Sequence, residues 1–271
     1  MINFFRVSWK ILFEFNDYKP KKVNLCSVLD WVNQFPIPMR LNLFKLLGYV
    51  FYYSEKKTGS IISSLNKALL EKLKSDGVDI TQVIYYSHDA GAGSSQVILN
   101  MLRDTDNLER RGANLVSDSR HLEETTNKIG RGAIIYVDDF IGTGTQFIEN
   151  RNWIANFISG VFSEFVMAPI ICEESISKLD ELGISPIFEK IYCFTERPLH
   201  QNSNILKNEE KSKLIQICEN IDPKFGLGYK NSAAMVVFYR NSVKNIPLVL
   251  RGNVKQNPYR GIFPRTDDLP Y

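Results

Sequence analysis

The chain has 271 residues, of which 44% are apolar, 23% charged and 12% aromatic, and its 33 basic and 30 acidic side chains leave a net charge of +3. These values exclude a wholly disordered chain and the dense cationic field of a nonspecific nucleic-acid binder, and they allow one large α/β domain with additions. Cys26, Cys172, Cys193 and Cys218 lie far apart, with no Cys-x-x-Cys pair and no His at zinc-finger spacing, which argues against a compact disulfide framework or a small zinc site and predicts free thiols in a cytoplasmic protein.

The opening MINFFRVSWKILFEF is apolar, but Arg6, Lys10 and Glu14 interrupt it and no small-residue cleavage site follows, so it is expected to belong to the fold. No stretch has the length and apolarity of a membrane span. From Val28 to about Leu73 the apolar residues Trp31, Phe35, Leu41, Phe44, Leu47, Val50 and Phe51, then Ile61, Leu65 and Leu69, recur at helical intervals, which predicts a mainly helical region over 1–76.

Gly77 ends that pattern, and TQVIYYS (81–87) is β-branched and aromatic, as a short buried strand requires. The loop HDAGAGSS follows, and Val97, Ile98, Met101 and Leu102 then fall on one helical face. The same order of strand, Gly-rich loop and helix returns with the apolar run Ala133 to Val137, the polar stretch Asp138 to Thr145, and helical spacing from Phe147 to Phe162. A third unit is expected from Glu164 to Cys172 with a helix through Leu179 and Leu182, and a further strand at Lys190 to Thr195. Such repetition argues for a parallel sheet with helices on its faces, spanning 77–200. Residues 201–271 are expected to supply a helix from about Glu209 to Cys218, two strands in AAMVVFY and IPLVL, and a Pro-rich tail.

The strongest chemical signal is IIYVDDFIGTGTQ, residues 134–146. A buried strand ends in two adjacent carboxylates, and a turn of small and hydroxyl-bearing residues then opens a helix whose unpaired N–H groups suit a phosphate. The carboxylates repel that phosphate and must serve hydrogen-bond donors beside it, which the vicinal hydroxyls of a ribose 5-phosphate provide. A turn that only caps the next helix accounts for one carboxylate and one hydroxyl and leaves the rest of the pattern unexplained.

The pattern resembles the phosphoribosyl pyrophosphate motif of type I phosphoribosyltransferases. The resemblance implies that Asp138 and Asp139 hold the ribose hydroxyls at the catalytic centre and that Gly142, Thr143, Gly144, Thr145 and Gln146 cradle the 5-phosphate. Phe140, Gly142 and Gln146 depart from the usual residues of the motif. The earlier loop, Asp89, Ala90, Gly91, Ala92, Gly93, Ser94 and Ser95, is similar in role to the family's pyrophosphate loop, since its glycines permit close backbone approach. Beside it, His88 is a candidate general acid or base or a structural histidine. Arg110, Arg111 and the segment Lys128 to Arg131 are candidate cations of a flap, and Arg251 and Arg265 of a C-terminal hood.

WVNQF, RRGANLVSD, NSAAMVVFYRNS and IFPR are similar to segments of the phosphoribosyltransferase-like proteins of bacterial conflict systems, some of them retron-associated. Together the resemblances imply an α/β fold with a parallel-sheet phosphoribosyltransferase-like core, an N-terminal helical region and a C-terminal hood. They imply a glycosyl-transferring enzyme that takes phosphoribosyl pyrophosphate or a related nucleotide, with Mg²⁺ carried by the substrate and no dedicated metal ligands. The implied setting is anti-phage defence, with a protein or ribonucleoprotein partner and room for an oligomer. A non-catalytic nucleotide-sensing or scaffold module is the alternative.

Overall fold

In the computed structural model of the protein, residues 2–89, 93–253 and 259–268 are described. The chain forms two compact units, one drawn from residues 1–55 and 193–271 and the other from 56–192.

The first unit opens with α1 (Ile2–Trp9), which runs into a π-helical turn at Lys10–Glu14. α2 (Leu25–Asn33) begins at Asn24, whose side chain accepts the Ser27 N–H at 2.9 Å while the Ser27 hydroxyl accepts the Asn24 N–H, a reciprocal cap that fixes the start of the helix. α3 (Ile37–Leu47) starts behind Pro36, and Pro38 in its first turn has no N–H to leave unpaired. The helical spacing expected through this region is broken by β1 (Phe51–Tyr53), where three successive aromatic residues favour extended backbone.

The second unit holds α4 (Glu55–Ser75, from Lys56 onward), β2 (Val83–Tyr86), α5 (Ser94–Asp106), β3 (Asn114–Val116), α6 (Ser119–Ile129), β4 (Arg131–Val137), β5 (Phe140–Ile141), α7 (Thr145–Ile154), β6 (Val161–Cys172), α8 (Glu173–Glu181) and β7 (Ser185–Tyr192). The remainder of the first unit then supplies α9 (Asn208–Ile221), β8 (Val236–Phe238), the short α10 (Leu248–Arg251), β9 (Gly252–Asn253) and β10 (Tyr259–Arg260).

Strands β2 to β7 form one six-stranded, wholly parallel sheet, as the repeated strand-loop-helix order predicts. Its central strands are apolar on both faces because both are covered. Val83, Tyr85, Ala133, Ile135, Val137, Phe165 and Met167 pack with Leu69 and Leu73 of α4 and Ile98 and Leu102 of α5. Ile84, Tyr86, Ile134, Tyr136, Val166 and Ala168 pack on the other side with Leu122 of α6, Phe147 of α7 and Leu179 of α8. A buried polar knot adds direction to the first of these layers: Asp106 accepts from Ser63 and Asn66 at 2.6 Å each, and Asn66 accepts the Tyr85 hydroxyl at 2.5 Å.

Several local expectations change. The helical spacing read from Phe147 to Phe162 ends with α7 at Ile154, and Val161 already opens β6. The segment between the two Gly-rich loops, read as a flap or surface hairpin, contains β3 and α6, the latter capped by the Asp118 side chain on the His121 N–H. IPLVL forms α10 behind Pro247 where a strand was expected, and the strand expected at Lys190 to Thr195 lies earlier, at Ser185–Tyr192. Among the described residues, no helix is long and apolar enough to cross a membrane.

Candidate functional site

Asp138 follows the last residue of β4, at the carboxyl edge of the sheet, where open α/β sheets bind their ligands. The strand breaks there for a physical reason. β6 pairs with β4 as far as Met167 and resumes with β5 at Ile170, and between them Pro169 has no N–H to offer. The Asp138 N–H makes the last bond, to the Met167 carbonyl at 3.0 Å. The two carboxylates therefore project from a gap in the ladder and β5 continues the strand beyond them.

The phosphate turn follows β5. Gly144 is the residue before α7 and has φ of +75°, a left-handed conformation that a side chain disfavours, and a Cβ there would lie 3.1 Å from Cβ of Ser175 on α8. No side chain caps the amino end of α7, so its first N–H groups are directed at the turn. Thr143 is buried and its hydroxyl donates to the Thr145 hydroxyl at 3.3 Å, while Gln146 is exposed. Lys178 of α8 donates to the Thr143 carbonyl at 2.6 Å and braces the turn from behind.

The earlier loop comes to the same place. Ser94 donates to Oδ1 of Asp138 at 2.9 Å, which joins the amino end of α5 to the acidic pair. Asp89 turns back on the loop: its Oδ2 accepts the Ser95 N–H at 3.2 Å, and the Ser95 hydroxyl accepts the Asp89 N–H at 3.0 Å. Gly93 leaves room for this contact. Ala90, Gly91 and Ala92 lie outside the described residues.

Asp138 is nearly enclosed, at 13% side-chain exposure, and Oδ1 also accepts the Asp139 N–H at 2.8 Å. Its Oδ2 faces Nε2 of His88 at 3.7 Å. Burial pushes the Asp138 carboxyl up to about 6, with the charge of Asp89 adding to the rise and the hydrogen bonds from Asp139 and Ser94 opposing it. Burial likewise lowers His88, against the pull of the Asp89 and Asp139 charges, so the imidazole is held neutral beside the acid.

The structure thus brings Asp89, Ser94, Ser95, Asp138, Asp139 and the turn 142–146 to one edge. It does not bring the expected flap cations there. Arg110 and Arg111 lie in the connection entering β3, and Lys128 to Arg131 span the end of α6 and the first residue of β4, because a crossover returns the chain to the amino edge before the next parallel strand starts. Arg251 and Arg265 belong to the other unit. There Arg251 makes two bonds to Asp268, at 2.7 and 2.8 Å, and Arg265 donates to the Ser242 carbonyl at 2.6 Å. Lys178 and Ser175 escape a reading of local motifs, since they follow the turn by some thirty residues and meet it only through the return of α8.

No curated protein matches the chain. Among solved structures, a hypothetical protein from Neisseria gonorrhoeae with bound ppGpp is 13% identical, with a TM-score of 0.36, over 62% of this chain and 97% of that one. A mutant hypoxanthine phosphoribosyltransferase from Trypanosoma cruzi, complexed with the product IMP, is 11% identical, with a TM-score of 0.31, over 46% of this chain and 69% of that one. The PRTase-CE family matches residues 28–265, a span that takes in both Gly-rich loops, the acidic pair and most of the C-terminal segment, and the chain belongs to this family of phosphoribosyltransferase-like proteins of conflict systems.

Proposed function

We propose that the carboxyl edge of the sheet binds the ribose 5-phosphate portion of phosphoribosyl pyrophosphate or of a nucleotide, and makes or breaks the bond at the ribose anomeric carbon. The observation that carries this reading is the acidic pair in the β4–β5 gap beside an uncapped helix start entered through Gly144. Asp138 and Asp139 accept the ribose hydroxyls. The Thr143 and Thr145 hydroxyls and the first N–H groups of α7 hold the 5-phosphate, and the helix dipole favours its charge. As the bond at the anomeric carbon lengthens, positive charge spreads over the sugar ring, and two nearby carboxylates favour that charge.

The proposed ligand carries an Mg²⁺ on its own phosphates, which would neutralise charge on a leaving group. Service as an anti-phage defence effector, with a protein or ribonucleoprotein partner, is part of the proposal, and membership of a conflict-system family favours it.

A second reading, nucleotide sensing without turnover, is favoured by one observation. Asp138 already has Oδ1 engaged by Ser94 and Asp139, which leaves Oδ2 for a ligand and less freedom to move during a reaction. Incubation with labelled phosphoribosyl pyrophosphate and Mg²⁺, with a panel of bases and of nucleotides, separates the two. Pyrophosphate release or loss of base supports the enzyme; saturable binding without either supports the sensor; no binding of any of these compounds removes both.

A further inference from the structure

The amino end of α5 is where a second anion, the pyrophosphate of the ligand, is expected. In the structure a protein carboxylate stands at that place. Asp89 Oδ2 accepts the Ser95 N–H at 3.2 Å and lies 3.4 Å from the Ser94 hydroxyl. The contact is closed from the other side as well, because the Ser95 hydroxyl accepts the Asp89 N–H at 3.0 Å and sits 2.8 Å from the Ser87 hydroxyl, with both serines fully buried. Gly93 is what admits it: a Cβ on residue 93 would lie 2.1 Å from Cβ and 2.6 Å from Oδ2 of Asp89. A hydroxyl has one proton to donate, and the shorter contact, 2.9 Å, gives that of Ser94 to Asp138.

The consequence is electrostatic. Asp89, Asp138 and Asp139 already gather their charges around His88. A hydroxyl-bearing sugar is welcome among them and a 5-phosphate has its own turn at α7, but a pyrophosphate at α5 must displace Asp89 or sit beside it. We propose that Asp89 is an internal anion occupying the amino end of α5, which makes the site selective for ligands with one 5-phosphate, such as nucleoside 5-monophosphates and ribose 5-phosphate, over phosphoribosyl pyrophosphate. This rests on the ribose 5-phosphate reading above and chooses between its two ligand classes.

The test is calorimetric binding of ribose 5-phosphate, adenosine 5-monophosphate and phosphoribosyl pyrophosphate at one fixed Mg²⁺ concentration. It uses the full chain, Asp89→Asn, and Gly93→Ala, whose methyl group expels Asp89 without removing its charge. The parent protein is expected to bind the monophosphates about tenfold or more tightly than phosphoribosyl pyrophosphate, since a like charge within a few ångströms disfavours a bound anion by at least that factor. Asp89→Asn should raise the affinity for phosphoribosyl pyrophosphate about tenfold and leave that for ribose 5-phosphate within about threefold. A parent protein that prefers phosphoribosyl pyrophosphate overturns the inference, and this ratio needs no variant to fold. An unchanged ratio in both variants, each with the parent's circular dichroism, overturns it too. If the parent binds none of the three, the ribose 5-phosphate reading itself is lost.

Discussion

Asp138 differs from an ordinary strand-end carboxylate in that burial has raised it to about 6 while two donors and an imidazole surround it. A folded-state value above the unfolded one favours the neutral form, so its stabilising contribution is complete below about pH 4 and is lost as pH rises through about 6. Asp138→Asn is therefore expected to raise stability at pH 7 by roughly 1–3 kcal/mol, and to change it little at pH 4, in urea denaturation at the two pH values. The opposite effect is expected on ligand affinity. Loss of a charge-assisted hydrogen bond costs about 1.5–3 kcal/mol, so Asp138→Asn and Asp139→Asn should each weaken ribose 5-phosphate binding on the order of tenfold to a hundredfold. A protonated acid is a poor acceptor, and the affinity of the parent protein should stay level above about pH 7 and decline as pH falls through about 6, measured by titration across that range. The two aspartates were legible in the sequence because they stand next to each other after an apolar run. The partnership of Asp138 with Ser94 and His88 was not, since it depends on two strands lying side by side.

At the level of elements, the position of the phosphate turn depends on how α7 is held. Arg151 of α7 pairs with Glu164 of β6, its Nε donating at 2.9 Å, and the Tyr136 hydroxyl of β4 donates to the same carboxylate at 2.7 Å. Removing one charge of this half-buried group leaves the other uncompensated, and Glu164→Gln is expected to cost about 1–3 kcal/mol in thermal or urea unfolding. Gly144→Ala tests the turn directly. A side chain at φ of +75°, 3.1 Å from Ser175, should cost roughly 1–2 kcal/mol and weaken phosphate-ligand binding along with it, read from melting temperature and titration. The strands β2, β4 and β6 could be read from continuous apolar runs bounded by polar loops, because a doubly covered parallel sheet leaves no other pattern. Strands as short as β1 and β3 could not, since three residues carry too little periodicity to separate from a helix or a loop. Pro169 would ordinarily argue against a central strand, and its meaning emerges only when the β4–β5 gap is seen opposite it.

At the level of the whole molecule, the second unit covers both faces of its own sheet, with α4 and α5 on one side and α6, α7 and α8 on the other. A fragment spanning residues 55–192 is accordingly expected to unfold cooperatively by itself; a gradual, non-cooperative loss of ellipticity on heating would contradict this. The first unit is different in kind. Its β1 pairs in parallel with β8, Phe51 opposite Val236 and Tyr53 opposite Phe238, and Phe15, near the start of the chain, meets Phe263 edge-on at 5.0 Å. The whole second unit lies between these partners in the sequence. On the ribosome, at about 5–20 residues per second, β1 waits some ten to forty seconds for its mate, and Phe15 waits longer still for Phe263. The nascent chain thus completes its sheet-bearing middle before β1 can pair with β8.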